Sequence, residues 1–443
     1  MAVAREAAAD TRYLHFKDEL HRVVVDIADL SRIDRWSRER LQSEVQELGR
    51  KLAPQVDRKL PSADVNRAVE EVVDEVFGLG PLEPLLADET VTEILVNAPD
   101  QVYAERHGQL KQVNVSFTDK AHLTRVIQRI ASRVGRRVDE SSPMVDARLA
   151  DGSRVNAVLP PLTLDSPVLS IRRFSHNFTA DELVRLQTAT PEMMQFLETA
   201  IAGKINTLIS GGTGAGKTTL LNVLSAYIPR GERLVTIEDA AELKLQQPHV
   251  VRMETRTANL EGAGSVTQRD LLRNALRMRP DRIILGEARG PEAVDMLQAM
   301  NTGHEGSLTT VHANDTRDAL GRIELMIGLS GVDLAVPVLR GYIANAFHLL
   351  VHVSRLAGGA RRITRISELV GLRKGRIYRA RDIFVFEQTG VVNGHAVGKF
   401  KAAGYTPQIL TRLASAGRAL PEKLFAERTL AEVKAPAGGS ADA

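Results

Sequence analysis

At 443 residues, with 43% hydrophobic content, the chain is too long for one ordinary core and has material for two or three domains. Its 58 basic and 55 acidic residues nearly cancel to +3, so no general bias toward nucleic acid exists and none is expected as a partner. With no cysteine, disulfides and thiolate chemistry are excluded and a reducing compartment fits.

The first ten residues carry acids and lack a sustained apolar core, which argues against a secretory signal. No apolar run in the chain approaches the roughly 18 residues needed to span a bilayer. A soluble protein is expected, with any membrane role exercised through a partner rather than by insertion. Residues 1–80 read as a small helical bundle. Asp10 is placed to cap a first helix with Leu14, Leu20, Val24, Ile27 and Leu30 near one stripe, and Ile33, Leu41, Val45, Leu48 and Leu52 continue the pattern. Ser62 reads as the cap of a third helix carrying Val65, Val69, Val72, Val73 and Val76, ended by Gly78 and Gly80-Pro81. Nothing in the bundle looks catalytic.

Residues 81–174 read as a small α/β domain. Strands are expected at 93–97 and 102–106 around a Pro99-Asp100 turn, then a helix capped by Thr118 and closed by Gly135. A hairpin follows, 144–149 with 154–159 around Asp151-Gly152, and a last strand at 168–174. These strands hold Arg148, Arg154, Arg172 and Arg173. Strand arginines are usually solvated; here either they are, or at least one faces a nucleotide. The polar stretch 175–190 reads as an interdomain linker, and Pro191 opens the next helix.

Residues 191–430 then form the larger domain, followed by a flexible tail at 431–443. Its centre is Gly211-Gly212-Thr213-Gly214-Ala215-Gly216-Lys217-Thr218-Thr219, between an apolar strand at 205–209 and an apolar helix from 219. This is G-x-x-x-x-G-K-[ST] in its required strand–turn–helix context. The glycines let successive N–H groups converge on a phosphate, and the helix N-terminus adds positive partial charge there. Lys217 would reach the β- and γ-phosphates, and the Thr218 hydroxyl would ligate Mg²⁺.

Two further apolar runs end in acids: 234–237 in Glu238 and Asp239, with Glu242 behind, and 282–285 in Gly286-Glu287. Strands of a parallel sheet deliver ligand-binding groups at such ends. Gly286 stands where many P-loop ATPases carry an Mg²⁺-holding aspartate, which leaves Glu287 to polarise water. Arg273 and Arg277 share a helical face by their spacing, and Pro280 stops that helix. His304 and His312 bracket a strand at 307–311. Zinc is disfavoured, since no cysteine and no third ligand at useful spacing exist. Either alone would read as a core residue; together, at the edge of an ATPase sheet, they read as γ-phosphate sensors. No guanine-reading Asn-Lys-x-Asp occurs, and Leu329-Ser330-Gly331-Val332 is misplaced for a transporter signature. A small-molecule kinase would not need the extra domain and both histidines.

Four stretches, residues 211–219, 236–243, 277–287 and 301–314, resemble the Walker A, Asp-box, atypical Walker B and His-box of the type II/IV secretion ATPase superfamily. Residues 77–86, 135–144 and 299–304 resemble its CpaF branch, the ATPase of tight-adherence (Tad/Flp) pili. The likeness runs from about residue 75 to 430. It implies a RecA-like P-loop ATPase domain preceded by a small α/β (PAS-like) domain and an N-terminal helical region. It also implies ATP and Mg²⁺ as cofactors and a homo-hexamer on the cytoplasmic face of the inner membrane. Such a ring turns a membrane platform protein to add or remove pilins. By family match, Lys217 and Thr218 hold nucleotide and Mg²⁺, Glu287 with Glu238 and Asp239 handles water and metal, and His304 and His312 sense the γ-phosphate. The arginines of the small domain would stabilise charge at the transferring phosphoryl group.

Overall fold

Two folding units divide the chain, Met1–Phe174 and Ser175–Ala443. The computed structural model describes residues 12–13, 15–24, 38–57, 60–106, 108–173, 178–256, 264–332 and 334–435. Asp10, Leu14, Ile27 and Leu30, on which the first-helix reading leaned, and Ile33 of the pattern that continues it, lie outside the described residues. Residues 15–24 are helical and pack Phe16, Leu20 and Val24 against Leu41, Val45, Val69 and Val73 from the helices Arg38–Val56 and Ser62–Phe77.

Period-two burial builds the smaller sheet. In β1 (Val91–Ala98), Ile94 and Val96 point into the core while Glu93 and Leu95 stay half-buried on the other face. The other strands are β2 (Gln101–Arg106), β3 (Gln109–Gln112), β4 (Met144–Arg148), β5 (Arg154–Val158) and β6 (Val168–Arg172). They pair antiparallel in the order β3-β2-β1-β6-β5-β4. The helix Lys120–Arg133 covers one face with Leu123, Val126, Ile127 and Ile130, whose i, i+3, i+4, i+7 spacing makes one apolar stripe. β3 was not foreseen: all four residues are exposed, so it has no apolar alternation and forms only by pairing with β2.

Two caps differ from expectation. Asp119, not Thr118, starts the helix Lys120–Arg133, its carboxylate accepting from His122 N at 2.6 Å. Asp119 is the extended residue immediately before the first turn, where its oxygen reaches an otherwise unpartnered amide. Ser62 lies within the first turn of its helix, and Pro61 holds the cap position with no side-chain bond. At the other end of that helix, the Arg129 guanidinium donates to Glu75 O (2.5 Å) and Gly78 O (2.9 Å). It thereby satisfies terminal carbonyls and ties the bundle to the sheet.

In the larger unit the strands β7 (Thr207–Gly211), β8 (Leu234–Glu238), β9 (Val250–Glu254), β10 (Arg282–Leu285), β11 (Leu308–His312) and β12 (Leu349–Arg355) run parallel, in the order β12-β7-β11-β10-β8-β9. β7, β8 and β10 are buried along their whole length. Their continuous apolar runs follow from helices on both faces. One layer contributes Met193, Phe196, Leu220 and Leu224; the other contributes Leu272, Met296, Leu320 and Ile343. Beyond β12 the sheet continues antiparallel through β13 (Arg361–Arg373), β14 (Ile377–Val392), β15 (His395–Ala402) and β16 (Arg428–Val433). This mixed α/β sheet, after N-terminal helices and a small sheet domain, is the expected fold class.

The stretch read as linker holds a helix, Ala180–Arg185, started by a Thr179–Glu182 capping box, and Leu183 is buried in the core of the larger unit. Short polar segments with one apolar anchor read as loops from sequence. β16 likewise runs two residues beyond the start of the expected tail, to Val433. Deep under the sheet, Arg282 is fully buried and forked to Glu232 at 2.5 and 3.0 Å, with a further bond to Ile201 O. Such a charge is tolerated inside only because each arm is satisfied.

Candidate nucleotide site

The glycine-rich segment turns where β7 ends. Gly214 (φ 66°) and Gly216 (φ 98°) are left-handed, a conformation that a side chain resists. A β-carbon on Gly211 would stand 2.3 Å from Val353 O, so glycine there lets β7 lie close to β12. Gly216 occupies the cap position of the helix Lys217–Ser225 with no side-chain cap bond. The first-turn N–H groups and the positive end of the dipole are thus presented to the loop. Thr218 and Thr219 sit in that first turn.

Lys217 is only 8% exposed, and its Nζ donates to Gly212 O at 3.1 Å. The same nitrogen lies 3.2 Å from His312 Nε2, which lies 2.9 Å from Glu287 Oε1. Strand order produces this line: β11 is inserted between β7 and β10, so His312 ends its strand between the phosphate loop and the acid. With the proton on Nδ1 the ring accepts from Lys217 through Nε2, and Glu287 Oε1, though close to that nitrogen, is buried without a hydrogen-bond partner. Burial pushes the His312 pKa down, with Lys217, Arg289 and Arg322 adding to that and Glu287 opposing it. Arg322 also donates to His312 O at 2.9 Å. On its other side Glu287 is gripped by Arg289, at 2.6 and 3.0 Å to Oε2, and Arg289 lies 3.4 Å from Asp239.

Glu238 is 4% exposed at the end of β8. Its Oε2 accepts from the backbone of Glu242 (2.6 Å) and Leu243 (2.9 Å), whereas Oε1 is buried with no hydrogen-bond partner. Burial holds its pKa up, at about 7, against those two N–H groups and Arg252. Gly286 explains itself here: a β-carbon would stand 3.0 Å from Glu238 Cγ. The Glu238 side chain occupies the space into which an aspartate at 286 would project. Among the described residues no three His, Asp or Glu side chains converge as a metal cage. Mg²⁺ takes one or two protein ligands and completes its shell with phosphate oxygens and water. A buried, unpartnered carboxylate oxygen beside the phosphate-loop sheet fits the same ion.

Not every anticipated residue joins this cluster. β11 runs parallel to β7 with Leu308 opposite Thr207 and His312 opposite Gly211. His304, four residues before Leu308, therefore lies at the far end of the strand, away from the phosphate loop. Its backbone N–H is spent on Ala299 O. Within this chain the structure therefore brings His312, and not His304, to the phosphate loop, because the strand between them is extended. In the smaller unit, Arg148 pairs across strands with Arg154, Arg154 with Arg172, and Arg172 with Glu93. Directly opposed residues share a face, so three arginines stand in one row. Arg173 points elsewhere and donates to the carbonyls of Asp88 and Val91. Sequence reading missed Arg289, although its offset of two from Glu287 is a usable cue. Arg322 has no local cue at all. Arg273, noted for its helical face, pairs with Asp295 at 3.0 Å, and its helix ends at Ala275, short of Arg277.

A parallel sheet with helices on both faces, a glycine loop opening a helix, and an acid at the end of the second strand over define a P-loop nucleoside-triphosphatase. The profile of the family described as "Type II/IV secretion system protein" matches residues 75–359, and the chain belongs to that family. A putative conjugal transfer protein of Mycobacterium tuberculosis (strain CDC 1551 / Oshkosh) is 41% identical over 304 residues, covering 67% of this chain and 85% of that protein. The type IV secretion system protein VirB11 of Bartonella quintana (strain Toulouse) is 32% identical over 326 residues, covering 65% and 91%. The crystal structure of the VirB11 ATPase of Brucella suis with sulphate is 30% identical, with a TM-score of 0.37, covering 67% of this chain and 97% of that one. Its membership of that family and its phosphate loop in the strand–loop–helix setting make this chain an ATPase.

Proposed function

We propose that this chain is the hexameric motor of a tight-adherence pilus, acting on the cytoplasmic face of the inner membrane against a platform protein. The Lys217–His312–Glu287 line carries the ATPase part of this reading, and the three branch-like stretches near residues 77, 135 and 299 carry the pilus part. Among the described residues no helix is long and apolar enough to cross a membrane.

In this reading the loop N–H groups and Lys217 hold the phosphates; Thr218 and Glu238 would hold Mg²⁺, which would supply positive charge against the charge developing on the phosphates. Glu287, steadied by Arg289, takes a proton from water as the water oxygen bonds to the γ-phosphorus and the bond to the ADP oxygen breaks. His312 registers occupancy: phosphates draw Lys217 off its ring nitrogen and free that nitrogen to serve Glu287. The row Arg148–Arg154–Arg172 supplies further positive charge to the phosphoryl group, from its own or a neighbouring subunit. Each guanidinium is one charge-assisted contact among three. Single alanine changes are therefore expected to cut turnover roughly ten- to a hundredfold with little change in nucleotide affinity. Mixing such variants with Lys217→Ala subunits recovers activity only if the arginines act across an interface. Near-normal rates in all three would reduce the row to a solvated face.

A second reading, a motor of type IV or conjugative secretion, is favoured by the names of the relatives above. Deletion of the chain in its host discriminates between the two. Loss of surface pili, with transfer of DNA and protein intact, supports the pilus motor. Lost transfer with pili intact overturns it in favour of the second reading.

A further inference from the structure

Arg355 and Arg361 end β12 and begin β13, directly opposite one another. Both are aimed at the phosphate loop. Arg361 Nε donates to Gly214 O at 3.0 Å, and its Cδ lies 3.3 Å from where a β-carbon of Gly216 would be. Arg355 NH1 lies 3.5 Å from the corresponding point at Gly214. The turn between them is rigidly built: Leu356 N donates to Ala360 O (2.8 Å), and Gly359 N donates to Leu356 O (3.0 Å). Gly358 packs so closely on His395 that a β-carbon would stand 2.3 Å from Nδ1.

In a trans peptide the carbonyl and the following N–H point opposite ways. Because Arg361 draws the Gly214 carbonyl toward β13, the Ala215 N–H is turned into the concave side of the loop. There it makes a long bond, 3.4 Å, to Gly212 O, one that a phosphate oxygen at ordinary distance would replace. We propose that Arg361 is a positioning residue of this site: through the Gly214 carbonyl it pre-orients the loop amide that receives phosphate, with Arg355 adding charge beside it. The proposal rests on the nucleotide reading above and adds a basic element from the larger unit itself.

Binding of a fluorescent ADP analogue and steady-state kinetics of wild type, Lys217→Ala, Arg361→Met and Arg361→Lys test it. Methionine keeps the packed stem and removes every donor. Loss of one charged hydrogen bond predicts roughly tenfold weaker ADP binding and a similarly raised KM, with kcat little changed. Lysine should recover part of the affinity, and the melting temperature without nucleotide should be unchanged, since Arg361 is exposed. Wild-type affinity and KM in Arg361→Met, alongside lost binding in Lys217→Ala, would overturn this proposal alone. A wild-type chain that binds no nucleotide would overturn it together with the site.

Discussion

Lys217→Ala should reduce phosphate release to background, a fall of roughly 10³-fold or more by the scale of other cations at a transferring phosphoryl group. The ammonium is a point charge aimed at the β- and γ-phosphates that no neutral side chain replaces. Here it is also the group that engages His312 Nε2. Its removal takes a phosphate ligand and the occupancy signal together. ATP binding should weaken, while the fold should persist, because the buried ammonium ends on polar groups of the site, Gly212 O and His312, rather than in the apolar core. Phosphate release, nucleotide titration and thermal melting measured on one preparation check the three parts. Wild-type turnover in the variant would remove this loop from the chemistry.

Glu287→Gln should leave nucleotide bound and lower turnover by roughly 10²–10⁴-fold, the usual worth of a positioned acid–base group. Glutamine keeps the shape and a carbonyl oxygen for Arg289, and Arg289 retains its second carboxylate, Asp239, at 3.4 Å. What disappears is the charge that accepts a proton from water. Single-turnover and steady-state rates, set beside Glu238→Gln, assign the acids: a larger loss at Glu238 would exchange the roles of β8 and β10. If wild type itself released phosphate no faster than Glu287→Gln, the chain would be a nucleotide-gated scaffold instead of a motor.

The phosphate loop, the two acid-tipped strands and the α/β class were legible because their signals are contiguous. Glycine spacing, an apolar run and the residue that follows it are all written within a dozen positions. The strand β3 and the helix Ala180–Arg185 were not, because pairing or one buried leucine stabilises them rather than a periodic pattern. The cap of Lys120–Arg133 was missed by a single position, within the error of reading boundaries from side-chain type alone.

The sequence alone determined which residues were available for the chemistry: the lysine, the acids, the histidines and the arginines. Tertiary structure decided which of them meet. Lys217 and His312 are 95 positions apart and become neighbours only because β11 enters the sheet between β7 and β10. No local pattern encodes that insertion, since buried parallel strands look alike along the chain. His304 and His312 look equivalent in sequence, yet an extended strand carries them to opposite ends of the sheet. Gly286 reads as a lost aspartate until Glu238 is seen in the space it leaves open. Arg361 has no motif at all. Its part follows from standing opposite Arg355 at the end of a strand pair that lies over the phosphate loop.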